Sequence, residues 1–168
     1  TMTEDSDERI ADFQKALEVN PDSIEAQQAI ITVQVGAEKF EEAYKEAKKL
    51  LTQDPKSLFA IKVSVAALKA LDRLDEAIAL ITEKLEVVPD PLVLLSDRAD
   101  LYLDKHAKKE EGDPKDKSTE LLDKAIADLS KIVETDPRNG QALMNRCRAY
   151  LQKKEFDKAE QDIEDVLS

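Results

Sequence analysis

The sequence predicts an all-α solenoid of antiparallel helix pairs, about four and a half repeats and nine helices long. Three observations predict it. Pro21, Pro55 and Pro89 stand 34 residues apart, and Pro137 follows 48 later, which is 34 plus an insertion of 14. Twelve residues before these prolines lie Arg9, Ala43, Ala77 and Ala125, with Ala159 a further 34 on. The alanines sit in similar text, from Phe40-Glu41-Glu42-Ala43 to Phe156-Asp157-Lys158-Ala159. Finally, the chain is rich in Ala, Leu, Lys, Glu and Asp, has only Gly36, Gly112 and Gly140 as glycines, and spaces its apolar residues by 3 and 4. A fixed period of this size means stacked copies of one unit, each resting on its neighbours. Such stacks expose long surfaces and few concave pockets, so binding is favoured over catalysis.

Taken in order, residues 5–20 read as a half repeat. Its helix, about 5–19, places Ile10, Phe13, Ala16 and Leu17 on one face, and its first-helix partner is absent. Repeat one spans 23–54, with helices about 23–36 and 38–53. Repeat two spans 57–88, with helices about 56–70 and 73–87. Repeat three spans 91–136 and carries an inserted helical extension at about 104–118. Repeat four spans 139–168, with helices about 139–153 and 155–167, and stops within its second helix. Together they are expected to form a single repeat domain belonging to a longer protein.

Local chemistry sets the boundaries. A proline after Asn20, Asp54 or Asp136 forces that residue out of the α region and ends the helix. Asp22, Ser23, Ser57 and Asn139 then offer oxygens to the orphan amides of the next helix. In the insertion, Gly112 can close one helix and Asp113-Pro114 can open another, extending both helices of repeat three by about two turns into a charged spur. It lacks apolar residues, so a solvated elongation is the plain reading, with His106 among its solvated residues.

These landmarks resemble the tetratricopeptide repeat family, whose unit is 34 residues with small residues where its helices cross and a proline at its end. The matching positions are prolines 21, 55, 89 and 137, alanines 43, 77, 125 and 159, and Phe40, Leu74, Leu122 and Phe156 three residues before those alanines. Leu101-Tyr102 and Ala149-Tyr150 fill the first-helix aromatic site. The sequence departs from the family at its large first-helix aromatic, here Gln27, Ile61, Leu95 and Leu143. It departs again at the close-packing glycine, here Ile31, Val65, Ala99 and Cys147. The resemblance implies a right-handed superhelical solenoid whose first helices line a concave groove. By register, that groove would draw on Glu25, Gln28, Ala29, Thr32, Lys62, Val63, Ala66, Lys69, Ser96, Asp97, Asp100, Asp104, Asn145, Arg148 and Gln152.

Among these, Lys62, Lys69, Asp97, Asp100, Asp104, Asn145 and Arg148 are the candidates for setting a partner's polarity and register. Phe59, Val63, Leu103 and Met144 would supply apolar contact. Asp97, Asp100 and Asp104 share one helix face, which either invites a cationic partner or is the ordinary surface of an acidic protein. The family's chaperone-adaptor clamp needs lysine, asparagine and arginine where this chain has Ala66, Asp97, Gln141 and Asn145, which counts against that specialisation. Arg98 and Arg146 occupy one register position, and Asp128 and Asp162 another, so the pairs Arg98–Asp128 and Arg146–Asp162 are expected as ties within a repeat.

A net charge of −12 opposes binding to nucleic acid or anionic lipid. No apolar run reaches the roughly 20 residues that span a bilayer. The single Cys147 forms no disulfide framework and suits a reducing, cytoplasmic or other intracellular compartment. One histidine cannot build a triad or a multi-histidine metal site, and no phosphate-cradling glycine loop is present. No catalytic, cofactor or metal residue is therefore named. The expected function is a non-enzymatic protein-interaction scaffold that holds a peptide or helix in the groove. The alternative is an architectural or oligomerisation subunit that uses its convex face or ends and self-associates.

Overall fold

The computed structural model describes residues 2–108 and 115–167. All regular structure among them is helical: α1 Met2–Val19, α2 Ile24–Gly36, α3 Phe40–Gln53, α4 Leu58–Ala70, α5 Leu74–Lys84, α6 Leu92–Ala107, α7 Lys115–Thr135, α8 Gly140–Lys153 and α9 Phe156–Leu167. The chain forms two compact units, Thr1–Pro89 and Asp90–Ser168. In the first unit each helix from α1 to α5 packs on the next, and the first helices α2 and α4 also touch. In the second, α6 packs on α7, α7 on α8 and α8 on α9, with α6 touching α8.

Three of the expected caps form. Ser23, Ser57 and Asn139 accept from the amides of Ala26, Ala60 and Ala142, three residues on. The aspartates before the turn prolines add a second device. Asp54, Asp90 and Asp136 accept through Oδ1 from the amides of Lys56, Leu92 and Arg138, closing Asx turns. Within the hairpins, Glu38, Asp72 and Lys154 lie in the left-handed region at φ 57°, 60° and 62°. All three sit at one register position. Each lets the next amide reach back to a carbonyl five residues earlier: Lys39 to Gln34, Arg73 to Leu68, Glu155 to Tyr150.

Cations at these hairpins reach an acid on the preceding second helix. Lys39 pairs with Asp7, Arg73 with Glu41 and Lys153 with Asp123. Exposed pairs of this kind contribute well under about 1 kcal/mol each, so they guide register more than they stabilise.

Two boundaries differ from the sequence reading. α5 ends at Lys84 rather than near residue 87, because the chain tightens into a turn where Val87 and Val88 approach Pro89. α1 starts three residues early, at Met2. In repeat three, α6 runs to Ala107 and α7 begins at Lys115, seven residues before the register position of Leu122. The proposed turn at Gly112-Asp113-Pro114 lies outside the described residues.

The cores are built around the register alanines. Ala43, Ala77, Ala125 and Ala159 are buried, and their small side chains let paired helices approach closely. Ile31, Leu50, Ile61, Leu68 and Ile81 fill the first unit, and Leu94, Leu101, Leu129 and Leu143 the second. Ser64 adds a polar group to the first of these cores. It is fully buried on α4 at the register position of Arg98 and Arg146, and its hydroxyl has no hydrogen-bond partner. Ser64→Ala is therefore expected to raise stability by about 1 kcal/mol, read as a shift in the denaturant midpoint. A loss of stability would show that the hydroxyl is satisfied in solution.

Candidate protein-interaction face

Two buried ion pairs fix the helix hairpins of the second unit. Arg98 on α6 donates from Nε and Nη2 to the two carboxylate oxygens of Asp128 on α7, both at 2.7 Å. Arg146 on α8 meets Asp162 on α9 the same way, at 2.6 Å from Nη2 and 3.1 Å from Nε. It also donates from Nη1 to Ser130 Oγ on α7 at 3.2 Å, so three helices share one guanidinium. The carboxylates are almost wholly buried, and hydrogen bonding to them pushes both arginine pKa values up against the opposing effect of burial. Bidentate, desolvated pairs have little angular freedom, and these hold α6 to α7 and α8 to α9 at set angles.

With the helices fixed, the exposed sides of α6 and α8 form a face. Asp97, Asp100 and Asp104 lie along α6, all half-buried. Asn145 is buried on α8, where its amide donates to Asp100 Oδ1 at 2.8 Å and its oxygen accepts from Gln141 at 3.1 Å. Asn145 therefore joins the two first helices, and Asp100 serves as its acceptor. Leu103, expected near the groove, is buried. Met144, Arg148 and Leu151 are exposed at spacings of 4 and 3, an apolar stripe with a cation at its centre. Gln152 is exposed beside them.

In the first unit, the corresponding surface is cationic. Lys62, Ala66 and Lys69 are exposed along α4, with Phe59 and Val63 half-buried. On α2, Glu25 and Thr32 are exposed, and the Thr32 hydroxyl donates to the carbonyl of Gln28 at 2.8 Å.

His106 corrects the expectation of a solvated side chain. It is half-buried, with Nδ1 2.8 Å from Ser118 Oγ and 3.1 Å from the Ser118 carbonyl oxygen. The pair ties the end of α6 to the start of α7, beyond the register ends of the usual hairpin. Sequence reading missed it because the partner lies across an insertion that breaks the repeat register. The Asn145–Asp100 link was missed for a similar reason. Its only signal is an amide placed among the buried residues Ala142, Leu143, Cys147 and Ala149.

Cys147 is buried, and burial pushes its thiol pKa up, so it sits in the protonated form as a packing residue. Among the described residues, no group of three or more His, Cys, Asp or Glu side chains could hold a metal ion. No helix among them is long and apolar enough to cross a membrane.

A model of the tetratricopeptide repeat matches residues 120–167. No curated protein sequence matches the chain. Among solved structures, MamA is similar at a TM-score of 0.76 and 19% identity, over 98% of this chain and 88% of that one. YrrB, described as a tetratricopeptide protein with an unusual peptide-binding site, is similar at a TM-score of 0.69 and 18% identity, over 98% and 78%. A human IFIT1 dimer with PPP-AAAA gives a TM-score of 0.70 and 18% identity, over 92% of this chain and 35% of that one. At these identities the likeness concerns the fold. The chain resembles the tetratricopeptide repeat family in sequence over residues 120–167, and over nearly its whole length it has the fold of tetratricopeptide proteins.

Proposed function

We propose that the chain is a non-catalytic interaction scaffold that holds a peptide or helix of a partner protein along its first-helix faces. The observation that carries this reading is the stripe Met144–Arg148–Leu151 on α8, apolar and cationic, exposed beside the acidic row of α6. Exposed apolar side chains at helical spacing offer anchors, and the flanking charges set orientation. Lys62 and Lys69 would serve similarly on α4. The net charge of −12 opposes the counterion release on which nucleic-acid binding depends, which favours a polypeptide partner. Cys147 is buried and protonated and His106 is engaged with Ser118, so neither is offered as a nucleophile or base in this reading.

The test uses peptides selected from a displayed random library and measured by fluorescence anisotropy. Asp97→Lys and Arg148→Glu are each expected to weaken binding of a selected peptide at least tenfold, with an unchanged helical circular dichroism signal. Asp100 is left intact because it holds Asn145. Unaltered affinity in both variants would remove the first-helix face of the second unit as the site.

A further inference from the structure

We propose that a recess between the extended ends of α6 and α7 and the end of α8 binds a phosphate monoester group. Elongation of the third repeat creates this recess. α3, α5 and α9 begin at Phe40, Leu74 and Phe156, the register position of Leu122, whereas α7 begins seven residues earlier, at Lys115. Ser118 and Thr119 therefore lie on a stretch of α7 that has no counterpart in α3, α5 or α9. With His106 near the end of α6, they wall a cavity of about 450 Å³. Gln152, Lys153 and Lys154 form its other side, and Leu122 is its apolar member. All of these residues belong to the second unit, and the helices that carry them are packed on one another, away from both ends of the chain.

Charge and hydrogen bonding identify the ligand class. Glu38, Asp72, His106 and Lys154 share one register position, which is acidic in repeats one and two and basic in repeats three and four. No carboxylate is among the described residues that line the cavity, although the chain has a net charge of −12. The charge of Lys153 is offset by Asp123 and Glu155. Lys154 has no ion pair among the described residues, so its charge is not offset. His106 has Nδ1 engaged by the buried Ser118, which presents to it a hydroxyl at 2.8 Å and a carbonyl oxygen at 3.1 Å. The hydroxyl can donate to a neutral ring and the carbonyl can accept from a charged one. His106 is thus satisfied in either state, and Nε2 is left for a ligand. An ammonium, a ring nitrogen and the Gln152 amide then offer donors from two sides of one cavity. That set suits the three acceptor oxygens and near-double charge of a phosphate monoester better than the two oxygens of a carboxylate. A nucleic acid would need a basic stripe, which the net charge of −12 opposes. Phosphate binding here does not depend on the first-helix faces holding a polypeptide.

His106 is the only histidine, so its ring resonances in nuclear magnetic resonance spectra report on this one site. Inorganic phosphate, titrated against the 168-residue chain at fixed pH and ionic strength, is expected to shift them saturably, where sodium chloride does not. Lys154→Asn, which keeps a residue type that tolerates the left-handed backbone, is expected to weaken phosphate binding at least fivefold with an unchanged helical signal. Lys62→Asn, which removes an exposed lysine of the first unit, is expected to leave it unchanged. A capped phosphoserine peptide flanked by glycines separates the two sources of the group. Tighter binding than inorganic phosphate assigns it to a modified side chain of a partner, and binding no tighter assigns it to a small phosphorylated molecule. Either result upholds the site. A shift that follows chloride as it follows phosphate, equal binding of the unphosphorylated peptide, or indifference to Lys154→Asn would each overturn the proposal.

Discussion

Asp128→Ala is expected to destabilise the protein by about 3–5 kcal/mol, more than any surface change, because it takes the bidentate carboxylate from the Arg98 guanidinium within the α6–α7 packing. The cost comes from a buried charge that has lost its counter-charge, not from the worth of the pair. Removing both partners should therefore recover most of it. Arg98→Met combined with Asp128→Leu, which replaces the pair by apolar groups of similar volume, is expected near the parent stability or above it. Asp162→Ala is expected to be destabilising in the same way, with Ser130 remaining as an acceptor for Arg146. Urea titrations followed by circular dichroism check all four proteins. The midpoint is the quantity to compare, because stacked repeats need not unfold in one step. If Asp128→Ala shifts it no more than an exposed-residue control, the pair is not desolvated as described.

Why such ties exist at all follows from the repeat architecture. A helix pair with few large aromatics has a thin core, and the chain uses Ile61, Leu95 and Leu143 where the family places a large ring. Smaller side chains fill the space but specify the crossing angle less strictly. A bidentate pair bridging each hairpin of the second unit restores that definition. Repeat two lacks it, with Ser64 opposite Leu80, and repeat one has Ile30 opposite Glu46. Their hairpins rely on packing and on the exposed hairpin cations instead.

Repetition explains which features the sequence announces. The prolines at 21, 55, 89 and 137 fall in the connections after α1, α3, α5 and α7, where a missing amide and a restricted neighbour end a helix. The alanines lie at crossings because a methyl group is all the close approach permits. Arg98 and Asp128 are readable because Arg146 and Asp162 repeat their register, so the sequence contains two copies of one geometry. Features that occur once, or that reside in the backbone, are silent. Nothing in the identity of Glu38, Asp72 or Lys154 signals a left-handed residue where glycine would be expected. Asn145 reads as a groove amide by register, and only its 45-residue reach to Asp100 places it within the packing. His106 reads as solvated in a charged run, because the insertion hides the serine it meets.

Leu129→Ala and Ile163→Ala are the same deletion at the same register position, and they are expected to differ several-fold in cost. Leu129 is fully buried on α7, between helices held by the Arg98–Asp128 pair and by Arg146 donating to Ser130. Truncating it removes buried methyl groups and leaves a cavity that rigid flanking helices cannot close, at about 2–5 kcal/mol. Ile163 is 43% exposed on α9, so part of its side chain already faces water. The same truncation there should cost about 1 kcal/mol or less. Denaturant midpoints of the two variants give the comparison directly. Comparable losses would mean that the outer face of α9 is covered in solution, for example by self-association.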